Sequence, residues 1–314
     1  MCIKCLFFSL LSLLGVAGVQ AQHIVFTPQW TPQSQFTGYY VAEEKGYYQA
    51  AGLDVTIEHP SASRPALKML SEGTCNIITL QLLQAMEDID RGTSLVNILQ
   101  TSQHNSLVIV PRHDDIRTVE DLAGKKVGIW KAGFGEPAQM LDQAKELHIR
   151  WIPFIHNVNL FVSGAIDATL AMSYNEYFQI LAAGIQPTCI FRLSEMGYDL
   201  PEDGLYVTQD FYRKYPKEVR AFAKASQKGW EWAAEHPEEA LDIVMKRIKK
   251  AKVGTNRTQQ MWMLKEIIKL QQDKKSGKAT FILRPEQVKA ASELLLKCGK
   301  IKKEVTYQQL MGNF

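Results

Sequence analysis

The chain of 314 residues is 46% hydrophobic and 22% charged, the balance of a folded globular protein and not of a disordered, collagen-like or polytopic membrane chain. Its 36 Lys and Arg against 33 Asp and Glu leave a formal charge of +3, too even for a dedicated nucleic-acid or polyanion binder. At roughly 150 residues per domain, the length predicts two lobes, each able to bury its own core.

The first 21 residues stand apart from that globule. Lys4 precedes an apolar run from Leu6 to Val19 (LFFSLLSLLGVAGV), and Val19-Gln20-Ala21 follows as a cleavage site. This is the order of a secretory signal, and the run is shorter than the about 20 residues of a membrane span. The mature chain is expected to begin near Gln22 and to reside in the periplasm. No cysteine follows the run to carry a lipid anchor. Cys2 and Cys5 leave with the signal, and Cys75, Cys189 and Cys298 remain. Three widely spaced cysteines form no disulfide framework; they read as buried small hydrophobes with at most one bridge among them.

Residues 23–27 alternate and stop at Pro28, as a strand entering a loop does. Thr37 to Ala51 reads as one helix ending near Gly52. Leu53 to Glu58 alternates with period two, a second strand. A helix follows within Ser61 to Leu70, and Asn76 to Leu80 is a third strand. Strands alternating with helices at this spacing predict a mainly parallel α/β sheet. Ser106 to Pro111 is a further strand. After the polar turn His113-Asp114-Asp115, the pattern restarts with the strand Val127 to Trp130 and a helix beginning near Pro137. Ile166 to Met172 is apolar again and runs into Ser173-Tyr174-Asn175-Glu176-Tyr177.

The last third is helical. Val219, Phe222, Ala223 and Trp230 fall at helical spacing, Pro237 opens another helix, and Asn256 with Gln259 fits a cap before Met261 and Trp262. Pro285 to Lys297 is a final helix stopped by Gly299. The basic run Lys246 to Lys252 reads as a solvated helix end, where cations suit the dipole.

Several chemistries lack their signatures. The seven histidines show no metal-ligand spacing, and there is no nucleophile elbow or Walker loop. Gly133-Phe134-Gly135-Glu136-Pro137-Ala138 matches G-x-G-x-x-A, but residues 151–157 (WIPFIHN) hold no acidic residue for a ribose. A tight turn offering amide N–H groups at a helix start suits it better, facing an anionic or polar part of a small ligand. Trp30 and Tyr39 follow the first strand, and Tyr174, Asn175 and Glu176 follow a later one. Ligands of open α/β sheets bind outside the carboxyl ends of strands. Aromatic faces stack a planar ring there, and a carboxylate or amide pairs with exocyclic amino groups. Each of these residues has a plainer use in a core or a helix cap.

Trp30-Thr31-Pro32, Gly38-Tyr39-Tyr40-Val41-Ala42, Lys45-Gly46-Tyr47-Tyr48 and Ala51-Gly52-Leu53-Asp54-Val55 resemble the opening of the thiamine-pyrimidine-precursor binding proteins of ABC importers, relatives of the eukaryotic enzymes that make this pyrimidine. Tyr174-Asn175-Glu176-Tyr177 resembles that family's Y-N-E-Y segment, and Pro201 to Leu205 and Lys228-Gly229-Trp230 extend the likeness over most of the mature chain. The resemblance implies a type II periplasmic binding protein, two α/β lobes with a ligand cleft between them. It divides the chain into a signal at 1–21, lobe 1 from 22–110 and 206–314, and lobe 2 from 111–205.

By the same resemblance Trp30 stacks the ligand, Glu176 pairs with it beside Asn175 and Tyr174, and the turn Gly133, Phe134, Gly135 and Glu136 faces the cleft. The partners implied are a small heterocycle and a membrane ABC permease, with the chain acting as a monomer and without a cofactor or nucleic acid. Where the family has Asn-Thr-Asn-His, this chain has Gln33-Ser34-Gln35-Phe36, which reshapes the polar edge of the pocket and admits other planar cargo such as riboflavin. The enzymatic relatives use a lysine and a histidine after the third strand. Asn76 to Met86 (NIITLQLLQAM) holds neither, which disfavours a pyridoxal-dependent synthase. A receptor coupled to a membrane sensor is a third reading of the same fold.

Overall fold

A computed structural model describes residues 22–131, 133–155 and 158–311. The expected signal, with Cys2 and Cys5, lies outside the described residues. The chain enters the first lobe through β1 (His23–Thr27), α1 (Thr37–Glu44), α2 (Tyr47–Ala50), β2 (Asp54–Ile57), α3 (Ala66–Ser71), β3 (Ile77–Gln81), α4 (Leu82–Asp90) and β4 (Leu95–Gln100). It then builds the second lobe from β5 (Leu107–Pro111), β6 (Lys126–Trp130), α5 (Glu136–Lys145), β7 (Arg150–Phe154), α6 (Asn159–Val162), β8 (Ala168–Met172), α7 (Glu176–Ala182) and β9 (Phe191–Arg192). It returns through β10 (Asp203–Thr208), α8 (Gln209–Lys214), α9 (Pro216–Glu235), α10 (Pro237–Ala251), α11 (Arg257–Leu270), α12 (Pro285–Lys297) and α13 (Tyr307–Met311).

The two five-stranded sheets share one topology, β2-β1-β3-β10-β4 and β7-β6-β8-β5-β9. Each holds one strand running against the others, a departure from the mainly parallel sheet expected. β10 pairs antiparallel with β3 and β4, and β5 with β8 and β9. Both are the first strand after a crossover. A chain arriving from the other lobe enters from the cleft side, where the parallel strands end, so it must run away from the cleft.

The same pairing moves the expected lobe boundaries. Residues 106–110 were expected to close lobe 1, but β5 bonds into the second sheet, which places the first crossover at 101–106. Residues 203–205 were expected in lobe 2, yet they open β10 beside Gln81, Leu80 and Thr79 of β3. An isolated apolar run such as SLVIVP announces a strand but not which sheet will take it.

Sheet 1 is buried on both faces, as alternation requires. Ile24, Phe26, Ile77, Leu205 and Val207 pack under α1, α9 and α10, while Ile78, Leu80, Leu95 and Tyr206 pack against α3, α4 and α12. The helix expected from Thr37 to Ala51 is two, because Gly46 takes a φ of +70° between α1 and α2. The caps at Asn256, whose side chain accepts from Gln259 N–H, and the openings at Pro137, Pro237 and Pro285 fall where expected. Cys75 is buried and free, with its thiol pushed up to about 11 by burial. Cys189 and Cys298 are free too but only half-buried, unlike the buried positions expected. No helix among the described residues is long and apolar enough to cross a membrane.

One contact fixes the helical layer over sheet 1. At the crossing of α1 and α9, a Cβ on Gly229 would lie 2.0 Å from the Gly38 carbonyl oxygen. Gly229→Ala is therefore expected to push the helices apart and cost about 1–3 kcal/mol, read as a lowered Tm. Gly254→Ala, whose Cβ would meet nothing within 4 Å, is the control and should stay within about 0.5 kcal/mol of wild type.

Candidate functional site

The strand ends that face each other across the lobes enclose a cleft of about 350 Å³. Lobe 1 contributes Gln29, Trp30, Thr31, Gln33 and Gln35 after β1, and Gln81 at the end of β3. Lobe 2 contributes Trp130 at the end of β6, Phe134, Ile155 after β7, Met172 at the end of β8, and Tyr174, Asn175 and Glu176 leading into α7. Of the expected site residues, Trp30, Gln33, Phe134, Tyr174, Asn175 and Glu176 are brought together here. Each stands at or just beyond the carboxyl end of a strand, where the backbone amides and carbonyls leave the ladder and side chains converge.

The half-buried Trp30 is braced from behind. His59 donates from Nδ1 to the Trp30 carbonyl at 2.6 Å, and the Tyr40 hydroxyl bonds His59 Nε2 at 2.9 Å. A carbonyl only accepts, which puts the proton on Nδ1 and leaves Nε2 to accept from Tyr40. Burial lowers the His59 pKa below its usual value against the pull of the Trp30 carbonyl, which favours this neutral form of the ring.

Across the cleft, Trp130 meets Phe134 edge-on at 6.5 Å between ring centroids. Phe134 has a φ of +74° and Gly133 a φ of +102°. A phenylalanine in the left-handed region costs on the order of 1–3 kcal/mol, and such strain concentrates at binding sites. Here it turns the ring into the cleft.

Glu176 is the one carboxyl group among the described residues lining the aromatic compartment. The Met172 backbone N–H donates to it at 3.1 Å and Asn175 Nδ2 at 3.0 Å. Burial nonetheless pushes its pKa up to about 7, against the pull of those donors. The carboxyl is thus poised to hold or share a proton near neutrality, as a partner for an amino-substituted ring nitrogen. Asn175 Oδ1 accepts in turn from Gln179 at 3.1 Å and from Gln259 at 3.0 Å. Gln259 lies on α11 of lobe 1, and its neighbour Trp262 donates to the Ser173 carbonyl at 2.9 Å. The orientation of Glu176 is therefore set partly from the opposite lobe, a link between ligand binding and lobe closure.

Two expectations need correction. Tyr39 does not reach the cleft. It is 1% exposed, packed against Phe26 at 4.8 Å and Trp230 at 5.7 Å, so its ring is taken up by the packing of α1 on the sheet and α9. The turn Gly133 to Glu136 does face the cleft, in an adjoining outer compartment of about 700 Å³ reached past Trp30 and Phe134. It is not an anion seat, because Glu136 occupies it: burial raises this carboxyl above its usual range while the Glu136 and Phe134 backbone N–H groups pull it down. Lys131, Lys300 and Arg91 line that compartment beside Glu87 and Asp88, a mixed and not a basic surface.

Gln29, Gln81, Trp130, Met172 and Ile155 were not singled out from the sequence. Trp130 carried a usable signal, an aromatic closing a strand. Gln29 sat in a loop whose polar residues had no pattern, whereas Gln35 was reached only through the family segment Gln33 to Phe36. No three His, Cys, Asp or Glu side chains among the described residues gather as metal ligands.

Two α/β lobes of matching strand order, joined by two crossovers around a cleft at their strand ends, define the periplasmic-binding-protein fold. The aliphatic-sulphonate-binding protein SsuA of Escherichia coli superposes with a TM-score of 0.67 at 14% identity, over 92% of this chain and 99% of its own. The chain belongs to the NMT1/THI5-like family, which it matches over residues 33–240. It is 25% identical over 227 residues to the formylaminopyrimidine-binding protein of Halalkalibacterium halodurans, covering 69% of this chain and 68% of the relative. It is 22% identical over 244 residues to the riboflavin-binding protein RibY of Chloroflexus aurantiacus, covering 74% and 68%. The 4-amino-5-hydroxymethyl-2-methylpyrimidine phosphate synthase THI13 of Saccharomyces cerevisiae is 23% identical over 236 residues, covering 69% and 68%.

Proposed function

We propose that this chain is an exported solute-binding protein that closes over a thiamine-type aminopyrimidine and delivers it to an ABC permease, acting as a monomer in the periplasm. The observation that carries the reading is the buried Glu176 carboxyl set among the flat side chains of Trp30, Trp130, Phe134 and Tyr174. Aromatic faces hold a planar ring, and a carboxyl group accepts from its exocyclic amino group while sharing a proton with the adjacent ring nitrogen. The volume of about 350 Å³ is at the small end of ligand pockets, roughly 300–1,000 Å³, and suits a single small ring system. The name of the Halalkalibacterium relative supports the same cargo.

The lining of the aromatic compartment favours this reading over a pyridoxal-dependent synthase. A pyridoxal aldehyde is held by a lysine amine, and the described lining of the aromatic compartment holds none. The segment after β3 supplies Gln81 instead. One observation favours a second cargo. The outer compartment of about 700 Å³ continues past Trp30 and Phe134, which gives room for the side chain of a flavin, the cargo in the name of the Chloroflexus relative. A sensor-coupled receptor would use the same cleft, and neighbouring permease and ATPase genes, not a kinase, are expected.

Thermal-shift titration of the mature protein decides among these. A saturable rise in Tm with 4-amino-5-hydroxymethyl-2-methylpyrimidine, worth about 2.7 kcal/mol at a hundred times Kd, is expected. A response to riboflavin alone would replace the cargo, and a response to neither would remove the heterocycle reading.

A further inference from the structure

Behind the cleft wall lies a hydrogen-bonded chain of amides that ends on one carboxylate. Asp203 opens β10, where the return crossover rejoins sheet 1. Gln29 Nε2 donates to its Oδ1 at 2.9 Å, and Gln35 Nε2 donates to its Oδ2 at 2.6 Å. The Gln35 carbonyl then accepts from Gln33 Nε2 at 2.6 Å. A carboxylate only accepts, so each glutamine bound to it must give its NH₂ to Asp203 and turn its carbonyl elsewhere. Gln35 spends that carbonyl on Gln33. Gln29 Oε1 is shielded from solvent and has no hydrogen-bond partner, although Gln29 lines both compartments. A buried acceptor left unpaired carries an uncompensated desolvation cost, which a ligand N–H reaching it would remove.

We propose that Asp203, which does not itself line the cleft, is a positioning residue that sets the direction of the Gln29, Gln35 and Gln33 amides. That arrangement leaves one unpaired carbonyl acceptor on the β1 loop, the Gln29 Oε1, and selects heterocycles whose N–H edge reaches it over those that present a carbonyl there. This deepens the reading of the cleft as a heterocycle site and rests on it for the choice of ligand. The amide directions themselves do not depend on the cargo. Glu176 from lobe 2 and Gln29 from lobe 1 become two acceptors on opposite walls, which fits a ring bearing more than one N–H group.

Asp203→Asn tests this. Asparagine offers one acceptor and one donor where aspartate offers two acceptors, so one of the two glutamines must reverse or lose its bond. Kd is measured by calorimetry for 4-amino-2-methylpyrimidine and for 2-methylpyrimidin-4-one, a pair that exchanges an amino edge for a carbonyl. Wild type should prefer the amino compound, and Asp203→Asn should cut that preference about tenfold, through weaker amino binding, stronger oxo binding or both. Equal weakening of both compounds would make Asp203 a packing residue and overturn the proposal.

Gln29→Met, which keeps the volume and removes the acceptor, should erode the same preference if Asp203→Asn does not fold. Side-chain ¹⁵N amide spectra of the ligand-free protein give a readout independent of cargo. The Gln29 and Gln35 NH₂ protons should exchange slowly with solvent in wild type, and one pair should speed up in Asp203→Asn. If neither pyrimidine binds wild type, the pyrimidine reading fails while this spectrum still decides the role of Asp203, and unchanged exchange would overturn it.

Discussion

Glu176→Ala should weaken binding of an aminopyrimidine about ten- to hundredfold without unfolding the protein. The side chain sits in the wall of the cleft, 6% exposed, held by the Met172 N–H and Asn175 Nδ2. Its remaining hydrogen-bonding capacity faces the site, and a charge-assisted or proton-sharing bond there is worth about 1.5–3 kcal/mol. The pH dependence has a definite sign. With a pKa of about 7 in the free protein, Glu176 carries a proton below neutrality and can donate to a ring nitrogen. Above neutrality it is ionised and the shared proton is lost, so affinity should fall as pH rises past about 7. Calorimetric titration from pH 5 to 9 checks both statements, and an alanine variant with wild-type affinity would remove Glu176 from the site.

Glu202→Gln should make the protein more stable at pH 8 and flatten its stability between pH 5 and 8. Glu202 ends the return crossover and is buried. Its carboxyl accepts from the Ser106 N–H at 2.9 Å and from the Ser106 hydroxyl at 2.7 Å on the other crossover. Burial pushes its pKa up to about 8, above what the Ser106 donors can hold down, and Asp203 and Asp199 push the same way.

A carboxyl group raised in the folded state binds its proton more tightly there than in the unfolded chain, where its pKa is roughly 4.3. Its contribution is fully present below that value and is lost as pH rises through about 8. At about 1.4 kcal/mol per pKa unit, the loss is several kcal/mol, on the order of the stability of a whole domain. Glu176 adds to the slope with the same sign and with its upper limit near 7. Glutamine keeps an oxygen for the Ser106 N–H and has no proton to lose, so the Glu202 share of the slope should vanish. Chemical denaturation at pH 5 and 8 measures it, and an equal pH slope in both proteins would place the Glu202 proton elsewhere.

The relation of sequence to structure differs between the core and the cleft. Helices α9 to α12 were legible because their apolar residues recur at helical spacing and their starts carry Pro or Asn caps, which are local signals. β4, β7, β9 and β10 were missed; Leu95–Gln100 and Asp203–Thr208 fall outside the βα rhythm that the sequence was read by. The assignment of Ser106 to Val110 to lobe 1 failed for a related reason: a strand's sheet is chosen by long-range pairing, here Leu107 with Met172, and that choice leaves no trace in the local pattern. In the cleft, Trp30 and Glu176 were legible through family motifs and strand ends, whereas Tyr39, in the same motif, belongs to the core.

The sequence by itself determined the two-lobed α/β class, the family and the helices that Pro or Asn opens in the last third, because period, caps and short motifs are carried by neighbouring residues. The tertiary structure decided which strands cross between lobes and which tryptophans face each other. It also decided that Glu136 occupies the glycine turn, that Gln29 and Gln35 donate to Asp203, and that Gln259 of lobe 1 reaches Asn175 of lobe 2. Those are contacts between residues tens to hundreds of positions apart, such as Gln35 with Asp203 and Asn175 with Gln259. Burial, direction of hydrogen bonding and pKa depend on such contacts, so they take their values only once the chain has folded.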